Sequence, residues 1–376
     1  MKGIGGGFSS GAIGILLVPG LALAAATVEF HGEQFLPFRS FHAFARTVQP
    51  DAGITLLTSP EIETGIHWDE LVISWNAEAQ PTDWLEVKAR ALYPDHATKW
   101  FTFGQWSGAP GIHARASVKH QEDVEGHMDT DTLILQQPVN RLQVQITLGS
   151  TTRTPPRLKF LGLSVLDSKY QPAARPPNRR AWGKWIEVPK RAQMDYPHGE
   201  VLCSATTTSM LLAYWGQQLN RPGLNVDVPE VVQQIFDPVW NGTGNWIFNT
   251  AYAGSFRWMR AYTTRLLDLT ELEDFIARGI PVGLSVCSNR LNARSRIPSG
   301  HLVVLVGFTA AGDPIINDPG KSQKTPHVFP RERVRDAWAY SKNAVYLIYP
   351  VNTVLPTDHF GHWESRTAKR AIKLLP

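Results

Sequence analysis

The chain has 376 residues, 43% hydrophobic and 19% charged, which excludes a disordered polymer and is too long for one ordinary core. Its formal charge of +4 comes from 37 basic and 33 acidic side chains scattered along the sequence, so nucleic acid is not an expected partner. Two cysteines, Cys203 and Cys287, cannot make a disulfide framework, and each has to be read from its surroundings.

Residues 1–26 open with Lys2, continue through an apolar run from Ala12 to Ala24 bent by Pro19-Gly20, and end in small residues at Ala22-Leu23-Ala24-Ala25-Ala26. That is the pattern of a cleaved secretory signal peptide. The run is shorter than the roughly 18–20 apolar residues of a membrane span. No later segment is apolar enough to cross a bilayer, so the expectation is a secreted protein, extracellular or periplasmic, without stable membrane insertion.

Residues 27–167 read as β-structure. Short alternating runs at Leu71 to Trp75, Trp84 to Arg90, Trp100 to Phe103, Thr132 to Leu135, Leu142 to Leu148 and Leu158 to Val165 are separated by turn residues. This predicts an N-terminal all-β sandwich. Trp100 and Trp106 are expected in its core rather than on an exposed sugar platform. Asp123, Glu125, Asp129 and Asp131 are expected as acidic turn residues rather than a calcium loop. Neither a metal nor a cofactor is expected anywhere in the chain.

Residues 168–182, poor in aliphatics and carrying three prolines, read as a linker. Beyond it, over 183–350, helices are predicted from Cys203 to about Leu219, at Val228 to Phe236 and at Leu269 to Arg278. Strands are predicted at Val282 to Val286, His301 to Phe308, Pro314 to Asn317 and Ala344 to Tyr349. Helices followed by an antiparallel sheet predict an α+β domain. Residues 351–376 read as a C-terminal tail.

Thiolate chemistry needs a cysteine of lowered pKa, a base within reach and donors for an oxyanion. Cys203 follows the turn-rich Tyr196-Pro197-His198-Gly199-Glu200 and opens a helix, where unpaired N–H groups favour negative charge. His301 opens a strand apolar on both faces, and the next strand ends in Asp318-Pro319, within reach of His301 if the two form a hairpin with a small slip. Each residue alone also suits a purely structural role. Cys287, in the apolar Val282 to Ser288 run, reads as a core residue, with a redox lock on Cys203 as the lesser alternative.

The ordered set Gln193-Met194-Asp195-Tyr196-Pro197, Cys203-Ser204-Ala205-Thr206-Thr207-Thr208-Ser209-Met210, Ala213-Tyr214-Trp215-Gly216, Ser299-Gly300-His301-Leu302-Val303-Val304 and Asn317-Asp318-Pro319 resembles the papain-like cysteine peptidases, in particular the C39 type and its secreted relatives. Gly242-Thr243-Gly244-Asn245-Trp246 with Phe248-Asn249 is similar to a segment of those relatives. The resemblance implies Cys203 as nucleophile, His301 as general base, Asp318 as its orienting partner and Gln193 as oxyanion donor. Ser204-Ala205 departs from the Gly or Ser then Pro that usually follows the nucleophile. Relatives that process secretion leaders are often fused to a transporter, and no such segment is read here, so leader processing is not expected. The residues from Leu71 to Leu148 resemble the accessory region of some secreted relatives. The implied activity is hydrolysis of peptide or related amide bonds in peptide or protein substrates, cell-wall-associated ones included. Acyl transfer by the same triad, or a catalytically silent surface or glycan-binding protein, are the alternatives.

Overall fold

A computed structural model describes residues 1–3, 30–152, 154–173, 175–321, 326–364 and 373–375. Apart from its first three residues, the segment read as a signal peptide lies outside them.

The N-terminal half is built from β1 (Glu33–Phe38), β2 (Ala45–Gln49), β3 (Ile54–Thr58), β4 (Glu61–Glu78), β5 (Trp84–Ala91), β6 (Phe101–Ser107), β7 (Gly126–Asp129), β8 (Thr132–Gly149) and β9 (Arg157–Leu166). Alternation fixes which face is buried. Leu85, Val87, Ala89 and Ala91 of β5 point inward, while Trp84, Glu86, Lys88 and Arg90 are partly exposed. The two runs read around Leu133 and Val144 belong to one strand, β8, of 18 residues. Register breaks on β4 between Glu63 and Trp68 and between Trp68 and Glu70 let these long strands change direction and partner. The expected sandwich is therefore one antiparallel sheet by hydrogen bonding, carried round by β4 and β8.

The C-terminal half contains α1 (Cys203–Gln218), α2 (Val228–Ile235), α3 (Trp246–Ser255), β10 (Met259–Arg265), α4 (Leu269–Ala277), β11 (Val282–Cys287), α5 (Ser288–Leu291), β12 (Gly300–Phe308), β13 (Pro314–Asn317), β14 (His327–Val328), α6 (Arg331–Trp338) and β15 (Ala344–Pro350). Its antiparallel sheet runs in the order β10-β15-β11-β12-β13-β14. All seven residues of β15 are buried, and in β12 all but Gly300, so the sheet is covered on both faces. Helix α1 is buried all round from Ser204 to Gly216, as an apolar helix without a polar face must be. Asn220, at a φ of 52°, ends its continuation.

Strand β10 lies at the edge of that sheet, where its outward N–H and C=O groups need partners. Side chains of the N-terminal half supply them. Asn76 accepts from the Ala261 N–H at 3.1 Å and donates to the Ala261 carbonyl at 2.7 Å. Ser74 Oγ accepts from the Thr263 N–H at 2.9 Å, and Glu33 Oε1 from the Arg265 N–H at 2.6 Å. Arg265 in turn donates to Glu70 at 2.8 Å. Around this polar seam Trp75 and Trp106 meet Phe248 of α3 at ring separations of 6.4 and 5.6 Å. Asp131 accepts from the Trp246 N–H that starts α3, at 2.5 Å. The two cores thus form one continuous apolar cluster.

Two segments read as connectors are docked. In the 168–182 segment, Arg175 pairs with Asp268 at 2.6 Å and the Trp182 indole donates to Glu273 at 2.8 Å, both acceptors belonging to α4 and its cap. In the 351–376 segment, His362, Trp363 and Glu364 are buried. Glu364 receives Arg260 at 3.0 Å and the Tyr349 hydroxyl at 2.8 Å, and Lys373–Leu375 forms β16 alongside β4. Neither docking depends on a periodic pattern; both depend on single polar pairs, part-buried in the first segment and buried in the second.

Asn76→Leu keeps the branching and number of side-chain heavy atoms and orphans two buried backbone groups of β10. The expected loss is about 2–4 kcal/mol of stability, read as a lower denaturant midpoint for the full chain; a change under about 0.5 kcal/mol would show that the seam does not hold the two halves together.

Candidate active site

Helix α1 has no side-chain cap at Leu202, so its first N–H groups are left for other partners. Cys203, half-buried, occupies that first turn, and the backbone N–H groups of Ser204 and Leu302 are directed at its sulfur. His301 sits where β12 meets the helix, buried, with Val286 of β11 as its cross-strand neighbour. Helix and strand thereby bring a residue at 203 to one at 301.

The β12–β13 pairing slips between Leu305 and Gly307. The bulge is filled by the incoming chain: Phe308 donates to the Lys184 carbonyl at 2.9 Å and Ile186 to that of Val306 at 2.8 Å. A Cβ on Gly307 would stand 2.4 Å from the Lys184 oxygen, so only glycine fits there. The slip lets Asp318, just beyond Asn317, reach His301: Nε2 to Oδ1 is 2.6 Å. Asp318 Oδ1 also accepts from the Gly320 N–H at 2.9 Å. With Nε2 engaged by the carboxylate, Nδ1 is the ring nitrogen left for Cys203.

The electrostatics follow from this chain of contacts. Burial alone would lower the His301 pKa, but hydrogen bonds to Asp318 and Cys203 and their charges reverse it, raising it to about 10. Burial pushes the Cys203 thiol up; the His301 hydrogen bond and charge, with the Leu302 and Ser204 N–H groups, bring it below its ordinary value. For Asp318, burial is outweighed by His301 and the Gly320 N–H, and its pKa falls. At neutral pH this arrangement favours a thiolate–imidazolium pair backed by a carboxylate.

Gln193 is buried beside this group. Its backbone N–H donates to the Pro319 carbonyl at 2.8 Å, and its Nε2 to the Gly199 carbonyl at 2.6 Å. One Nε2 hydrogen is thus engaged and the second remains free to donate. All four residues singled out in the sequence, Gln193, Cys203, His301 and Asp318, converge at one end of the β11–β12 pair.

A further contributor is the Gly242–Asn249 segment, whose likeness to the relatives' segment gave it no role in the sequence. The Gly242–Asn249 segment is pinned beside α1: Asn249 accepts from Thr208 Oγ1 at 2.9 Å, Asn245 donates to Asp237 at 3.0 Å, and Thr243 donates to the Val201 carbonyl at 3.1 Å. Asp237 also accepts the N–H groups of Val239 and Ser117, at 3.0 and 3.2 Å. The loop that borders Val201, two residues before Cys203, is therefore tied to both halves of the molecule. Cys203 and Cys287 are both free thiols. Val286 pairs with His301 and Cys287 with Gly300, so Cys287 points to the opposite face of the sheet, away from Cys203.

Two family descriptions match along the chain: the Peptidase C39 N-terminal domain over residues 48–165 and the Peptidase C39 like family over residues 185–346. The two matches follow one another along the chain, a C39-type N-terminal domain and then a C39-like domain. Among solved structures, a Bacillus anthracis protein described as a C39-like peptidase is 18% identical, covering 44% of this chain and 96% of its own, with a TM-score of 0.33. A family two carbohydrate esterase from Cellvibrio japonicus is 14% identical, covering 41% of this chain and 42% of its own, with a TM-score of 0.17. The CBM22-1–GH10 modules of Clostridium thermocellum xylanase 10B are 8% identical, covering 42% and 30%, with a TM-score of 0.17. No curated protein matches.

The state of the Cys203 thiol can be read chemically. In a Cys287→Ala background, alkylation of Cys203 by iodoacetamide is expected to stay fast well below pH 9. His301→Ala removes the charge that opposes burial, and the alkylation profile should move above pH 9. Asp318→Asn should shift it in the same direction by a smaller amount. An unchanged profile in His301→Ala would disprove the coupling.

Proposed function

We propose that this chain is an exported cysteine peptidase-like hydrolase whose papain-like domain, over about residues 183–350, cleaves peptide or related amide bonds through Cys203, His301 and Asp318. The observation that carries the reading is the 2.6 Å bond between His301 and Asp318 behind a Cys203 held at a helix N-terminus.

The Cys203 thiolate attacks the scissile carbonyl carbon and forms a C–S bond. The developing oxyanion meets the Cys203 N–H and the second Nε2 hydrogen of Gln193. As the C–N bond breaks, the His301 imidazolium gives its proton to the departing amine, leaving a thioester. Acylation removes the thiolate charge and hydrogen bond that help hold the His301 pKa up. The imidazole's pKa then falls toward the range of a base, suited to take a proton from water as it attacks the thioester. The carboxylic acid is released and the ion pair re-forms. Asp318 keeps the ring oriented throughout.

Exposed apolar side chains flank the site's approaches. Val201 lies just before Cys203, Met194 follows Gln193, and Ile297 precedes the His301 strand. They favour an extended peptide with apolar residues near the scissile bond. The leader over residues 1–26 would direct export, and the N-terminal sheet would serve as accessory domain.

Acid-quenched mass spectrometry of the full chain with a mixed peptide library should trap a thioester on Cys203 and recover free carboxylic acid products. Cys203→Ala should abolish both. Asp318→Ala should lower kcat by about 10²–10⁴, and Gln193→Ala by about 10²–10³. Turnover that survives Cys203→Ala would rule the mechanism out, and amide rather than acid products would indicate acyl transfer.

A further inference from the structure

A cavity of about 850 Å³ opens where the N-terminal sheet meets the start of β10. Six cations line it: Arg39, Arg46, Arg157 and Lys159 from the N-terminal half, and Arg257 and Arg260 from the C-terminal half. Glu78 is the only acidic lining residue among the described residues. With Glu364, which pairs behind the lining with Arg39 and Arg260, the local excess is still four positive charges, equal to the +4 of the entire chain, so the remainder of the protein is close to balanced. A scattered basic composition conceals one concentrated patch.

Some of these cations are engaged and some are free. Arg260 donates to Glu364 at 3.0 Å, and Arg39 pairs with the same carboxylate. Arg157 reaches Glu78 at 3.2 Å. Lys159 donates to the Phe256 carbonyl at 3.0 Å across the junction, and its burial lowers its pKa to about 8. Arg46, on the wholly exposed strand β2, has no carboxylate partner among the described residues. Arg257 has none either. It lies over the half-exposed Trp258 ring at 4.4 Å, an arrangement that holds a guanidinium plane while leaving its in-plane N–H donors free.

Structure that gathers cations from two domains around one cavity, and leaves two guanidinium forks unpaired, works against itself electrostatically unless an anion completes it. We propose that this junction groove binds a linear polymer carrying closely spaced oxyanions, phosphate or carboxylate. A single small anion would meet only one or two of the cations, whereas a chain of anions can meet those on both sides of the junction. The groove lies at the C-terminal end of β15, where Met259 pairs with Pro350. The catalytic group lies toward the other end, where β11 meets the start of β15 through Leu284 and Val345. Polymer bound in the groove therefore leaves Cys203 open, and the two activities can be tested apart.

Calorimetric titration of the full chain with inorganic polyphosphate and, separately, polygalacturonate tests this. Binding to at least one polymer is expected at low salt, weakening steeply as salt rises. The stronger of the two identifies the oxyanion. Arg46→Gln combined with Arg257→Gln should weaken that binding by at least about tenfold. The paired control Lys119→Gln with Arg180→Gln, exposed cations outside the groove, should change it less than about twofold. All four side chains are exposed, so thermal unfolding should be unaltered. Absence of binding to both polymers, or an equal loss in the control, would overturn the proposal.

Discussion

Everything at the candidate site rests on the contact between a helix buried all round, α1, and a strand covered on both faces, β12. Neither element has a solvent face along which it could slide, so the first turn of the one is fixed against the first residues of the other. The chemistry at that meeting point is a competition. Burial disfavours charge on both Cys203 and His301. Mutual attraction, two N–H groups at the sulfur and Asp318 behind the ring restore it. Placing only one of these partners would leave an isolated buried charge, the costlier arrangement.

The same economy recurs between the halves of the molecule. Strand β10 would be an open sheet edge in an isolated C-terminal half. Asn76, Ser74 and Glu33 close it with side chains rather than with another strand. Because β10 joins β15 and β15 joins β11, the sheet that presents His301 is continuous with the seam. The N-terminal sheet is thus bound into the framework of the site without contributing to its reacting atoms.

Much of the site was legible in the sequence because its signals are local. A turn-rich lead into Cys203, a two-face apolar run after His301 and a turn at Asp318-Pro319 each announce an element end, and the bulge at Gly307 supplied the slip that brings Asp318 to His301. The strands β5, β9, β11, β13 and β15 follow from alternation or apolar runs in the same way. Helix α3 is harder to read, since it is apolar on most faces; besides its local cap, Asn245, its first N–H is held by Asp131, distant in sequence. The docking of residues 175–182 and 358–364 was not legible either. It depends on pairs such as the part-buried Arg175–Asp268 and the buried Arg260–Glu364, whose partners lie about a hundred residues apart and follow no period. Six of the tryptophans, Trp68, Trp75, Trp106, Trp215, Trp338 and Trp363, are buried in the core. Their number in the sequence reflects a large, shared interior.

The central claim is that His301 is an imidazolium in the resting protein, held so by Asp318 and Cys203. Nitrogen-detected NMR of the histidine-labelled full chain, titrated from pH 6 to pH 11, measures this directly. The account predicts a His301 ring still doubly protonated at pH 8, losing its proton near pH 10, and titrating lower once Cys203 is alkylated. A His301 ring that is neutral at pH 8, and indifferent to alkylation of Cys203, would contradict it.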